Sequence, residues 1–215
     1  MISASRKISV FAITLATLAW CGVVLQCYLS LQSATQNDKS IGTGLEIFFS
    51  YFTVLTNLLV CMSLTLALMR PSSALGKWFS RPSVVAGIAT SITFVGLSYH
   101  FLLRNTWNPH GAQLLANELL HYVVPALYVL YWWFDSSKAA LRWTHPLLWS
   151  AYPTAYLAYA LIRGSIIHRY PYPFIDVADL GYGRTMVNSL GLLFVFIALG
   201  LSFVALGRAR QGTRA

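Results

Sequence analysis

Asn117-Glu-Leu-Leu-His121-Tyr-Val-Val-Pro125-Ala-Leu-Tyr-Val-Leu-Tyr-Trp-Trp-Phe134 is apolar along nearly its whole length, yet it carries an imidazole one turn from its start. A run that is hydrophobic all round reads as a lipid-embedded helix. An ionisable side chain kept at membrane depth is costly, so His121 is a functional-site candidate. Pro125 lies one turn further on and cannot donate to the carbonyl four residues back, which is that of His121 itself. A kink and a freed carbonyl beside the imidazole are predicted.

Working outward, five more apolar segments approach the roughly 20 residues that a helix needs to cross the hydrocarbon core. They are Ile8–Leu31, Leu45–Met69, Ser83–Leu103, Thr144–Ile162 and Thr185–Leu206. Period-2 alternation is absent, which argues against a β-barrel. The expected fold class is therefore all-α: a polytopic membrane protein, one bundle of six transmembrane helices over residues 1–215. The composition agrees. The chain is 57% hydrophobic and 10% charged, where a soluble domain carries about a quarter charged residues.

The formal charge of +9 is strung between the apolar runs and is no nucleic-acid footprint. Arg6, Lys7, Arg70, Lys77, Arg81, Lys138, Arg142, Arg208, Arg210 and Arg214 fall on one side of a six-span bundle, and Lys39, Arg104, Arg163, Arg169 and Arg184 on the other. This bias predicts cytoplasmic termini. Ile8–Leu31 exceeds the roughly 7–15 residues of a secretory h-region, so it reads as a retained first span. Cys21, Cys27 and Cys61 lie inside apolar segments without metal-ligand spacing, and packing is their expected role. The loop Arg163–Arg184, with Pro171, Pro173 and several aromatics, reads as interfacial, either packing against the bundle or closing over it. No internal repeat supports a transporter.

In the second segment, Ser50, Thr53 and Asn57 stand at i, i+3 and i+7 and so share a helical face. Thr56 points elsewhere and is expected to bond back to the backbone. Segments two and four enter from the same side, which permits Thr53 to meet His121. A neutral imidazole accepts a proton from a hydroxyl, and a threonine hydroxyl needs such a base to become a nucleophile. Asn57, Tyr122 or Arg163 would then stabilise an oxyanion. Glu118, Glu46 or Asp176 would orient the ring, and His100 is a secondary candidate. Hydrogen bonding between helices as structural glue explains the same residues without chemistry. The zinc-protease, nucleophile-elbow and phosphate-loop motifs are absent, and the dyad requires no metal or cofactor.

At these residues the chain resembles the bacterial Pr6Pr membrane proteins. The likeness is carried by Ser-Tyr-Phe-Thr-Val-Leu-Thr-Asn-Leu-Leu from Ser50, Glu-Leu-Leu-His-Tyr-Val-Val-Pro from Glu118, Tyr-Pro-Tyr-Pro-Phe-Ile-Asp-Val from Tyr170, and Gly-Tyr-Gly-Arg from Gly181. It extends, more distantly, to the eukaryotic androgen-induced protein 1 and androgen-dependent tissue factor pathway inhibitor regulator proteins. The resemblance implies a six-span fold in a bacterial inner membrane. It also implies an intramembrane threonine hydrolase of lipid esters, of the fatty acid ester of hydroxy fatty acid type, with Thr53 as nucleophile and His121 as base. Membrane lipids and a lipid-like ester would be its partners. A non-enzymatic lipid or small-molecule binding protein is the alternative.

Overall fold

Helix is the one open-ended form these apolar runs can take without stranding backbone N–H and C=O groups in hydrocarbon. In the computed structural model, which describes residues 10–138 and 140–212, every regular element is helical. The elements are α1 (Val10–Gln36), α2 (Ile41–Phe49), α3 (Phe52–Met69), α4 (Ala74–Phe79), α5 (Pro82–Ser98), α6 (Gly111–Glu118), α7 (Val124–Asp135), α8 (His145–Trp149), α9 (Ala151–Ile167) and α10 (Val177–Gly212). A π-helical turn, Tyr99–Leu103, extends α5, and a second, Leu119–Val123, joins α6 to α7.

Five helical stretches are long and apolar enough to cross a membrane: Val10–Gln36, Phe52–Met69, Pro82–Leu103, Gly111–Phe134 and Val177–Arg210. These make the chain an integral membrane protein by architecture. The expected fifth segment, Thr144–Ile162, is divided instead into α8 and α9 at Ser150. Pro153 cannot bond the Trp149 carbonyl, and the break falls there. The second segment also differs from expectation. It is not one helix from Leu45 but two, α2 and α3, parted at Ser50–Tyr51. The last begins earlier than Thr185 and bends at Gly181, whose φ of 71° suits a residue without Cβ. Ile8, Arg6, Lys7 and Arg214 lie outside the described residues.

α5 runs through the middle, touching α3, α7, α8 and α10, while α1 packs on α2, α3, α6 and α7. Trp132, Tyr128, Phe196, Leu15 and Ile92 fill the interior. Phe101, Phe134, Val187 and Phe194 face outward, as a surface bathed in acyl chains allows. At the C-terminal end of α7, Lys138 donates to the carbonyls of Trp132, Trp133 and Ser136, and Arg210 donates to Trp133, supplying cations to a helix terminus that favours them.

Candidate active site

Thr53 occupies the first turn of α3 because the chain breaks just before it. The Ser50 carbonyl, which an unbroken helix would give to Val54, instead accepts a hydrogen bond from the Tyr156 hydroxyl at 2.8 Å. The Val54 N–H turns to the Tyr51 carbonyl. Tyr51 is extended and offers no side-chain cap, so the first N–H groups of α3 need partners from elsewhere. The Thr53 N–H finds one in the Tyr172 hydroxyl, at 3.4 Å.

His121 sits on the π turn between α6 and α7. There the Val124 N–H bonds Leu119, five residues back, so the helix is one residue wider than an α-helix. The Leu120 carbonyl released by this widening is taken by Asn57, whose amide donates to it at 3.2 Å and to the Thr53 carbonyl at 2.9 Å. The His121 carbonyl, which Pro125 cannot serve, faces Gly96 of α5 so closely that a Cβ there would lie 3.0 Å from it. The kink expected from Pro125 thus takes the form of an inserted residue.

The Thr53 Oγ1 lies 3.3 Å from His121 Nε2. His121 Nδ1 lies 3.0 Å from the Asn117 carbonyl, which can only accept, so Nδ1 carries the proton and Nε2 presents its lone pair to the threonine hydroxyl. Tyr99, from the other π turn, stacks on the ring with centroids 4.0 Å apart. Thr53 is 8% exposed. The arrangement is a hydroxyl, an oriented neutral imidazole, and the free end of a helix beside them.

Two cavities meet at this point. One, of about 240 Å³, is walled by apolar side chains of α5, α9 and α10 and the 172–175 loop; the other, of about 370 Å³, lies among α1, α2, α6 and the end of α5. Thr53, Tyr99, Leu103 and Tyr172 border both, whereas His121 and Asn117 border only the second.

The other expected site residues are placed elsewhere, and none of them borders either cavity. Asn57 is fully buried and spends its amide hydrogens on backbone carbonyls, so it positions the dyad and cannot serve an oxyanion. Ser50 falls in the α2–α3 break, not on the Thr53 face, and donates to Ile47. Glu118 is exposed; the Asn117 carbonyl, not a carboxylate, orients the ring. Arg163 pairs with Glu46 at 3.1 Å, strapping α9 to α2. Asp176 caps the start of α10 through the Ala178 N–H. His100 accepts from Arg104 at 3.2 Å and donates to Tyr122 at 3.3 Å, a separate cluster. The second hydroxyl of the α3 motif, Thr56, donates to the Phe52 carbonyl and accepts from Tyr152.

Sequence reasoning passed over Tyr172, Tyr99 and the Asn117 carbonyl. The first is inside the quoted Tyr-Pro-Tyr-Pro string, but nothing in that string says which tyrosine turns inward. The loop is a wall of the site: Tyr172 is buried, as is Ile175.

What fold and geometry define is an all-helical membrane protein with a buried threonine–histidine pair set between two cavities. No protein-family model matches the chain, and no curated protein or solved structure matches it at a significant level.

Proposed function

We propose that the chain is an intramembrane hydrolase of lipid esters, with Thr53 as nucleophile and His121 as base. The observation that carries this reading is the 3.3 Å approach of the Thr53 hydroxyl to a ring nitrogen whose opposite neighbour is held protonated by Asn117. His121 takes the hydroxyl proton as the oxygen attacks the ester carbonyl. The Tyr172 hydroxyl and the N-terminus of α3 are placed to receive the negative charge that develops on the carbonyl oxygen. An ester dissolved in the bilayer reaches such a site laterally, through apolar walls. Fatty acid esters of hydroxy fatty acids are the class implied by the resemblance to the Pr6Pr and androgen-induced protein 1 families, and membership of that group is part of the proposal.

The proposal includes six crossings, with α8 and α9 together as the fifth. His145–Ile167 spans 23 residues in two helices joined by one αR residue, about 34 Å at 1.5 Å per residue, against about 30 Å of hydrocarbon. It also places both termini in the cytoplasm of a bacterial cell. Lys138, Arg208 and Arg210 gather at one end of the bundle, where Arg208 donates to Leu141 across the fourth loop, and cations favour that side.

A second reading, a lipid or small-molecule binding protein without chemistry, draws on the same separation. At 3.3 Å the pair lies just outside the roughly 2.6–3.2 Å of a proton-transferring contact, and interhelical hydrogen bonds also serve as glue. Ester hydrolysis by the purified protein in detergent separates the two. The hydrolase reading expects turnover that Thr53→Ala and His121→Ala abolish and Thr56→Ala reduces little, with covalent labelling of Thr53 by a fluorophosphonate probe. Turnover indifferent to all three substitutions rules the dyad out.

A further inference from the structure

We infer that the ester lies across the wall between the two cavities, with its acyl chain in the apolar cavity and a neutral, hydroxylated alcohol half in the other. This rests on the hydrolase reading above, and for the alcohol half it departs from the hydroxy fatty acid that the resemblance implies.

Orientation follows from the proton. Thr53 Oγ1 bonds the acyl carbon while its proton passes to His121 Nε2. Collapse of the adduct breaks the bond to the alcohol oxygen, which takes that proton and leaves as the free alcohol. Water then bonds the acyl carbon, giving a proton to Nε2, and Thr53 recovers a proton as the carboxylic acid departs. The sum is ester plus water to acid plus alcohol. Both the departing alcohol and the arriving water must reach Nε2. His121 borders only the second cavity, whereas Thr53 borders both. The alcohol half therefore occupies the second cavity, and the acyl chain is left the first.

The walls match this division. Phe94, Leu157, Ile175, Met186, Leu190 and Leu193 line the first, and Met186 and Leu190 are 47% and 58% exposed on the outer face, so a long chain continues into the bilayer. Gln26, Ser30, Ser33, Thr106, Gln113 and Asn117 set amides and hydroxyls among the apolar residues that line the second. Among the described residues no Arg, Lys, Asp or Glu borders it. These amides and hydroxyls offer donors and acceptors to a neutral hydroxylated group, whereas a carboxylate held among them would have no cation beside it. The site thus selects alcohols such as glycerol over alcohols that bring a carboxylate into the cavity.

The test uses the full-length protein in detergent with three esters of one acyl chain: 1-decanoylglycerol, propyl decanoate and 3-(decanoyloxy)propanoate. Binding of the non-hydrolysable ethers 1-O-decylglycerol and 3-(decyloxy)propanoate to Thr53→Ala is measured in parallel. The expected kcat/KM is highest for the glycerol ester and lower by at least about tenfold for the carboxylate ester. Gln113→Lys, which puts an ammonium in the second cavity, should close most of that gap. A carboxylate ester turned over as fast as the glycerol ester, or a ratio that Gln113→Lys leaves unmoved, overturns the assignment while the hydrolase reading stands. No hydrolysis of any ester, with the glycerol ether still bound in preference, overturns the hydrolase reading and supports the cavity's choice of ligand. Equal binding of the two ethers overturns that choice as well.

Discussion

Tyr99 lies flat against His121, their ring centroids 4.0 Å apart and their planes 24° from parallel. Each residue sits on a π turn, one at the end of α5 and one between α6 and α7. Two widened turns on neighbouring helices therefore bring one aromatic face onto the imidazole and leave its edge for Thr53. Aromatic pairs contribute about 0.5–1.5 kcal/mol beyond area burial. Tyr99→Leu is expected to lower kcat about three- to tenfold, the equivalent of that energy, while Tyr99→Phe keeps most of the activity. Steady-state kinetics on the two variants checks this; equal loss in both would mean that the hydroxyl, not the ring face, matters.

Tyr172 is the sole side chain found bonded to the Thr53 N–H among the described residues. If it stabilises charge in the transition state, Tyr172→Phe should reduce kcat about 100-fold, as loss of one oxyanion donor does elsewhere. KM should change little, because the ring stays in both cavity walls. A variant with normal kcat and raised KM would reassign Tyr172 to substrate binding.

Pro125→Ala restores an N–H that can reach the His121 carbonyl, inviting the π turn to close into an α-helix. Removing the extra residue would rotate His121 by about 100° around the helix axis. Activity is expected to fall about 100-fold, the cost of a misplaced reacting group, with thermal stability unchanged or raised. Opposite movements of the two measurements mark a residue kept for geometry at the expense of stability.

Asn57→Leu strands the Leu120 carbonyl in a buried site and takes a second donor from the Thr53 carbonyl, which keeps its partner within α3. Orphaned polar groups cost about 1–3 kcal/mol each, though interhelical hydrogen bonds in membranes average nearer about 0.6 kcal/mol. The larger scale should govern the Leu120 carbonyl, since the π turn deprives it of a helical donor. Thermal unfolding in detergent should show the melting temperature lowered by several degrees, with kcat reduced alongside. An unchanged melting temperature would show that water reaches the Leu120 carbonyl.

The helical class and the placement of most apolar segments were legible in the chain, because hydrocarbon forbids other spanning forms to sequences without strand alternation. Thr53 and His121 were legible as polar residues in costly surroundings. The break before Thr53 was not. Nothing between Leu45 and Thr53 is Gly or Pro, and the break is held by Tyr156, about a hundred positions away in the chain, taking the Ser50 carbonyl. Asn57 illustrates the same limit. Its spacing from Thr53 suggested a shared face, but only the neighbouring helix, with a carbonyl to offer at Leu120, turned the amide away from the nucleophile.

Hydropathy alone determined that this chain belongs in a membrane and is helical there, since those properties are additive over local sequence. Which hydroxyl meets the imidazole, which nitrogen of the ring is protonated, and which side of the pair each cavity serves were decided by tertiary structure. They depend on distances of a few tenths of an ångström between groups far apart in the chain. Those distances arise from helix breaks and widened turns whose hydrogen-bond partners lie on other helices.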